Sequence, residues 1–396
     1  MKIANCQNNY FLSRMTFSSI LTCRSRLPQV GSFSRSLICH RKFALTPFST
    51  QKLAEKPPTT VKEPPGPPPP KKPPTLIQDY LALSKARLSY FVTFTAHAGY
   101  CIVNDPSAFD YSQFFIGLTG GTFACSAAAN TFNQITEQKW DSQMTRTMNR
   151  PLVRKNNPMT ELHAKSFAAV NSVLGVSLLN YFCGLPCAVL GAANIILYAG
   201  PYTYLKRRHW LNTQIGAIVG AIPPLMGASC SPHGWSCLTD AGALSLAGIL
   251  FFWQIPHFYA IAQIRKSDYT RAGYKMLPHS NEISAQRWTF YSALGLWPIC
   301  LYSYLEGFTT HFFIGVSTLA NLIYTYGSYK FYQNMKTAES QKLFKISLYY
   351  ILMIVFGMFG DIVYKRYGYY QAQNCPVVHV KDKLIGSDRR TDEKSD

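Results

Sequence analysis

Asn133, Glu137 and Asp141 stand four residues apart, and the chain runs on through Arg146 and Arg150 to Pro151 and Leu152. On a helix, at about 100° per residue, positions 133, 137 and 141 fall within about 80° of one another. An amide and two carboxylates on one stripe make an oxygen-rich face, which suits a hard, partly hydrated cation such as Mg²⁺. Arg146 and Arg150 are again four apart, and guanidinium forks match phosphate oxygens two at a time. The competing arrangement on this spacing is a helix-end ion network in which the acids and arginines pair with each other.

Two further polar patches have the same flavour. One reads Tyr202-Thr-Tyr204-Leu-Lys206-Arg207, followed by Asn212; the other reads Trp253-Gln254-Ile-Pro256-His257-Phe258-Tyr259, then Arg265-Lys266-Ser-Asp268-Tyr269 and Gly273-Tyr274. Carboxylates beside apolar segments are costly and mark function by default. Asn133, Glu137, Asp141 and Asp268 are therefore the candidate metal ligands, and Arg146, Arg150 and Lys206 the candidate cationic partners. A site that needs both signs points to a polyanion bound through divalent cations.

The elements that position these residues are apolar. Of 396 residues 47% are hydrophobic and 15% charged, against about 25% charge in an ordinary soluble domain. The formal charge is +20, from 39 Lys and Arg against 19 Asp and Glu. That excess sits in the N-terminus and in short loops, not on a polar folded surface of the kind nucleic acid requires, so a nucleic-acid partner is excluded. Stretches near 88–104, 113–132, 164–183, 186–204, 212–230, 241–262, 288–305, 308–330 and 344–364 approach the roughly 20 residues of a spanning helix. The expectation is an all-α polytopic membrane protein, a bundle of about nine transmembrane helices. Pro223 and Pro224 predict a kink in the fifth, and its glycines Gly216, Gly220 and Gly227 predict close helix packing.

Lys and Arg cluster in alternate connections: 139–155, 206–208, 265–287 and 330–342, together with Lys85 and Arg87 before the first span. Loops 104–112, 184–186, 231–240 and 306–311 carry neither residue. By the positive-inside rule all three polar patches share one face, the matrix side. Lys365 and Arg366 run against this pattern, because nine spans put them on the opposite side; the earlier loops are expected to dominate.

Residues 1–54 hold eight Lys or Arg, many Ser and no acid, the composition of an organelle transit peptide. Residues 55–76 are a Pro-rich linker, a spacer without a core. The organisation expected is a mitochondrial transit peptide over 1–54, that linker, a transmembrane domain over 77–364 and a polar tail over 365–396. The eleven cysteines show no CxxC and no zinc-like spacing. Cys230 and Cys237 are near enough in sequence to pair, but free thiols are the expectation.

Here the motifs carry a resemblance. The Asn-x3-Glu-x3-Asp run, the Tyr-x3-Lys run at Tyr202 and Lys206, and the single acid Asp268 resemble the UbiA-type intramembrane prenyltransferases. The stretches NQITEQKWDSQMTRTMNRPLV, YTYLKRRHWLNTQIGAIVGAIPPLMG and WQIPHFYAIA with KSDYTRAGYKMLP are similar to the haem-farnesylating (haem O) branch. The resemblance covers roughly residues 77–362. Two features depart from the broader family: Ile264 stands four before Asp268 where paired acids are usual, and Ser84-Lys85-Ala86-Arg87 lacks a common proline.

The resemblance implies farnesyl diphosphate as donor, a vinyl group of haem B as acceptor, and Mg²⁺ as cofactor. It implies that Asn133, Arg146, Arg150, Tyr202, Lys206, Arg207, His257 and Tyr269 touch the substrates. Arg146, Arg150, Lys206 and His257 would act in the chemistry, His257 on haem or on a proton in flight. It also implies the mitochondrial inner membrane, with a downstream haem A synthase as partner. Two other readings use the same residues: a quinone-type aromatic polyprenyltransferase of the same fold, and a non-catalytic haem carrier or transporter.

Overall fold

The computed structural model describes residues 74–104, 109–155, 158–230 and 234–373. The expected transit peptide, the linker up to 73 and the tail from 374 lie outside the described residues.

Thr75 caps the first described helix. Its hydroxyl accepts from the Gln78 amide while the Gln78 side chain reaches back to Thr75 N, a reciprocal cap that starts α1, Leu76–Leu83. The helix thus begins at the last residue assigned to the linker. Nearly all described structure is helical: α2 Ala86–Val103, α3 Gly121–Asp141, α4 Glu161–Leu178, α5 Leu185–Leu197, α6 Asn212–Ala228, α7 Ala241–Ile264, the short α8 Lys266–Arg271 and α9 Leu277–Ser280, α10 Glu282–Leu305, α11 His311–Gln333 and α12 Thr337–Gln373. Wider π-type turns extend α3 backwards over Ser112–Gly120, and extend α4 and α5 forwards over Leu179–Cys183 and Tyr198–Tyr202.

Helices lie over each of the nine apolar stretches. Four of them, Glu161–Cys183, Leu185–Leu205, Ala241–Ile264 and Thr337–Arg366, are long and apolar enough to cross a membrane on length and composition alone. Others are diluted by polar residues that the bundle buries, such as Thr122, Asn130 and Thr131 in α3, and Ser317, Asn321 and Ser328 in α11.

Two large apolar cores form among the described residues. One gathers α2 to α6 around Tyr100, Leu118, Leu179 and Met226; the other gathers α7, α10, α11 and α12 around Leu250, Phe313, Tyr324 and Ile354. Backbone contact locks α2 to α6. A Cβ on Gly99 would sit 2.0 Å from the Pro224 carbonyl oxygen, and one on Gly227 would sit 1.8 Å from the Ala96 oxygen. Only hydrogen fits at either place. Helix α6 continues through Pro223 and Pro224 to Ala228, with the second proline held against α2.

The last helix runs nine residues past its expected end at 364. Lys365 Nζ donates to the Gly307 carbonyl and Arg366 to the Asn104 carbonyl (2.9 Å). The basic tail therefore meets two of the loops that carry no Lys or Arg.

Candidate active site

Helix α3 carries the oxygen-rich stripe as its period requires. Asn133, Glu137 and Asp141 are all buried, at 0, 3 and 0% exposure. Burial on a helix that ends at Asp141 places both carboxylates beneath the loop that follows. That loop turns back over them: Thr147 Oγ1 donates to the Asp141 carbonyl at 3.0 Å, and Arg150 N donates to the Thr147 carbonyl at 2.9 Å. The turn brings the Arg150 guanidinium onto Asp141 Oδ2, with Glu137 Oε2 3.9 Å away.

Arg146 goes the other way. It is exposed and forms no ion pair among the described residues. The two arginines expected to act together are thus separated, because the loop is a series of tight turns and not a continuing helix.

The second patch arrives from the end of α5. Lys206 Nζ donates to Glu137 Oε1 at 2.9 Å and lies 4.8 Å from the centre of the Tyr202 ring. Tyr202 stacks on Tyr198, centroids 5.0 Å apart. Arg207 lies 4.3 Å over the Trp140 ring, a cation–π contact on the rim. Tyr204 turns outward under Arg208.

The third patch is tied to both others. Asp268 Oδ1 accepts from Thr145 N (3.2 Å) and Thr145 Oγ1 (2.7 Å), in the loop after α3. Lys275 N donates to the Lys206 carbonyl, and the Asn212 side chain donates to the Lys275 carbonyl at 3.2 Å. Tyr269 packs edge-on against Tyr274, whose ring centre is 5.8 Å from Lys206 Nζ. All three patches therefore share one end of the bundle, as the loop charges imply.

Lys85 is the participant that residue types alone did not single out. It has φ 46° and ψ 52°, left-handed values that a non-glycine residue adopts only when its surroundings impose them. That twist, between α1 and α2, turns its ammonium inward to donate to Asn133 Oδ1 at 2.9 Å and to the Tyr198 hydroxyl at 3.2 Å. The Asn133 oxygen, expected to hold metal, here holds Lys85, and its amide nitrogen donates to Thr203 Oγ1 at 3.0 Å. A sequence signal existed: a lysine immediately before an apolar span, facing the same end as the acids.

His257 does not join this cluster. Its Nδ1 meets Ser347 Oγ at 2.7 Å, and its ring contacts Trp253, Phe258 and Phe344, so it faces α12. Tyr259 is a core residue whose hydroxyl accepts from Gln214. His97 sits between Thr119 and Phe114, a structural placement. Cys230 is a free thiol turned inward.

The electrostatics are lopsided in a useful way. Burial pushes the Glu137 carboxyl up, but Lys206 and Lys85 outweigh it and leave it below the ordinary carboxylate range. At Asp141 burial outweighs Arg150 and the carboxyl stands above its ordinary value, with a buried Oδ1 that no group hydrogen-bonds. Lys85 is held well below the usual lysine value, first by burial and then by Arg150 and Lys206. The Thr145 hydroxyl keeps Asp268 low. A bound polyanion would relieve Lys85, and a bound cation would relieve Asp141. The orphaned Asp141 oxygen and the all-oxygen donor set fit a hard divalent ion.

Beneath the cluster lies a small, partly open apolar cavity of about 70 Å³. Leu88, Val92, Cys125, Pro223 and Met226 line it, and Tyr198 joins it to the Lys85 ammonium.

These features define the class: an all-α membrane protein with an acid-and-cation cluster at one end of the bundle, set over an apolar cavity. Residues 92–354 match the UbiA prenyltransferase family, and the chain belongs to it. Among relatives it is 36% identical over 271 residues to protoheme IX farnesyltransferase, mitochondrial, of Saccharomyces cerevisiae, covering 68% of this chain and 56% of that protein. The corresponding protein of Yarrowia lipolytica is 39% identical over 254 residues, covering 64% and 52%. The chain spans about half the length of these curated relatives. Two solved structures share the fold at 14% identity. A digeranylgeranylglyceryl phosphate synthase has TM-score 0.61, covering 72% of this chain and 98% of that one. A UbiA homologue from Archaeoglobus fulgidus bound to GPP and Mg²⁺ has TM-score 0.50, covering 72% and 99%.

Proposed function

We propose that this chain transfers the farnesyl group of farnesyl diphosphate to a vinyl group of haem B, with hydration, giving haem O. The observation that carries the proposal is the convergence of Lys85, Arg150 and Lys206 on the buried Asn133, Asp141 and Glu137, which places anion- and cation-binding groups together above an apolar cavity. The haem-farnesylating names of the relatives supply the acceptor, and the GPP and Mg²⁺ of the Archaeoglobus structure are the same pair of ligand chemistries.

In this reading Lys85, Arg150 and Lys206 grip the diphosphate, and Arg146 on the exposed rim steers it in. Glu137, Asp141 and Asp268 would hold Mg²⁺, which would supply charge neutralisation of the leaving diphosphate. Asn133 positions Lys85. Arg207, pinned on Trp140, and Tyr269 close the polar rim. The allylic C–O bond breaks and its electron pair leaves on the diphosphate, stabilised by the three cations. The apolar cavity would receive the start of the farnesyl chain and help keep water from the allylic cation, while the stacked Tyr198 and Tyr202 offer it their ring faces. The haem vinyl π-electrons form the new C–C bond. Water captures the resulting cation and loses a proton to solvent, leaving a hydroxyl. His257 serves here by fixing α7 against α12.

The setting is the mitochondrial inner membrane with this site on the matrix side, as the relatives' names and the basic loops suggest, and the product passes to a haem A synthase. The test is incubation of the purified chain with haem B, farnesyl diphosphate and Mg²⁺, read by mass spectrometry. A haem that has gained one farnesyl group and one hydroxyl is the expected result. Prenylation of 4-hydroxybenzoate with haem left unchanged would overturn it in favour of a quinone-type enzyme.

A further inference from the structure

The end of the bundle away from the polar cluster holds a second group of chemically able side chains. Helices α4, α5 and α6 each have one end at the polar loops. Cys183, Cys187 and Cys230 lie at or just beyond their other ends. The three are buried, at 5, 0 and 3% exposure. Their Sγ atoms lie within 4.8 Å of one another, with Cys187 and Cys230 3.9 Å apart.

Local structure builds this convergence. Gly184, at φ 87° and ψ 168°, takes a backbone conformation closed to other residues, and so ends one helix and starts the next within a single residue. Pro186 follows in the first turn of α5. The reversal puts Cys183 and Cys187 on two sides of one corner. Cys230, two residues beyond α6, completes the triangle and donates to the Met226 carbonyl (3.4 Å); Cys183 donates to the Gln113 carbonyl (3.6 Å). Around them are apolar side chains, among them Leu118, Leu179 and Met226.

The geometry points to a binding site for one soft d¹⁰ metal ion, Cu(I), held by the sulphurs of Cys183, Cys187 and Cys230. Metal–sulphur bonds of about 2.3 Å spread at trigonal angles hold sulphurs about 4 Å apart; the Cys187–Cys230 pair stands at 3.9 Å and all three lie within 4.8 Å. A disulfide needs its sulphurs at about 2.05 Å, so Cys187 and Cys230 would have to close by nearly 2 Å and would leave the third thiol over. Zinc in a structural site takes four ligands, and among the described residues the group offers three. Thiolate donors in a low coordination number are the chemistry of Cu(I). Each thiol that binds as thiolate releases its proton to solvent, and the metal enters and stays as Cu(I), so no electron is exchanged. The site is independent of the prenyl-transfer reading, and its test does not use that activity.

The full chain, purified in detergent and reduced under argon, is given one to three equivalents of Cu(I) as its acetonitrile complex and challenged with bathocuproine disulfonate. The wild type is expected to keep one copper at a chelator level where the Cys183→Ala, Cys187→Ala, Cys230→Ala triple variant keeps a tenth of that or less. Cys300→Ser, in a separate core, should match wild type. X-ray absorption of the wild type should show copper bound by sulphur alone. That measurement and the single Cys187→Ser variant decide the matter if the triple variant does not fold. Equal copper retention by wild type and triple variant, oxygen or nitrogen ligands in the absorption spectrum, displacement of Cu(I) by equimolar Zn²⁺, or a disulfide between any two of the three in the protein as isolated would each overturn the assignment.

Discussion

Replacing Lys85 by glutamine separates a residue kept for binding from one kept for stability. In the fold, burial first and then the charges of Arg150 and Lys206 hold the Lys85 ammonium well below the usual lysine value. A lysine whose folded pKa is depressed costs stability in full at pH below that folded pKa, and the cost fades as pH rises to the unfolded value. Glutamine removes the charge and keeps an N–H donor, one bond shorter, pointed toward Asn133 Oδ1, now 2.9 Å from Nζ. The thermal midpoint should hold or rise. What disappears is one charge-assisted hydrogen bond to the diphosphate, worth about 1.5–3 kcal/mol, or roughly 10- to 150-fold in kcat/KM. Turnover of farnesyl diphosphate and the unfolding midpoint would be measured on the same detergent preparation. A lowered midpoint with unchanged kcat/KM would refute the reasoning, since Lys85 would then be a structural pin.

Arg150→Lys should cut turnover by about tenfold or more, because Nη1 alone meets both Asp141 and Glu137 and an ammonium has no second nitrogen to offer a diphosphate oxygen; Arg146→Lys, on the exposed rim, should lose less than about threefold at moderate salt. Equal losses in both would show that the loop does not separate them. Glu137→Gln, Asp141→Asn and Asp268→Asn should each lower the rate by about 100-fold, near 3 kcal/mol, with a raised Mg²⁺ requirement; full activity in any two rejects the metal assignment. Accessibility tags in 142–160 and 267–285 should report the same membrane face, and tags in 231–240 the opposite one. Deleting residues 1–54 should abolish mitochondrial import, and continued import would remove the transit-peptide reading.

How much of this was legible in advance depends on whether a feature is local. The Asn133–Glu137–Asp141 stripe follows from helical period alone, and the structure buries all three together. The apolar stretches coincide with helices because long apolar segments have few other states. Basic loops placed the three patches on one face, and the contacts Thr145 to Asp268 and Lys275 to Lys206 bear that out. What escaped was set by tertiary geometry. Arg146 and Arg150 share a spacing, but successive tight turns after Asp141 leave Arg146 exposed while Arg150 reaches Asp141. Lys85 enters the site through a backbone twist that no pattern announces. His257 lies on a helix bordering the right region, yet it points at Ser347, a direction set by how α7 rotates against α12. Three cysteines spaced by four and forty-three residues form one cluster only because three helix ends meet.

The seam between α2 and α6 has a consequence for selectivity. Leu88 and Val92 on one side of the cavity, and Val219, Pro223 and Met226 on the other, belong to these two helices, whose separation is fixed by main chain touching main chain at Gly99 and Gly227. The bore of the cavity is thus a fixed gauge, set at contacts that do not themselves face it. Side chains that line such a bore can trade shape with one another and leave its width intact. A single methyl at Gly227, 1.8 Å from the Ala96 oxygen, would force the two rods apart by more than an ångström and re-bore the whole channel at once. The calibre of what this bundle admits is written in its hydrogens.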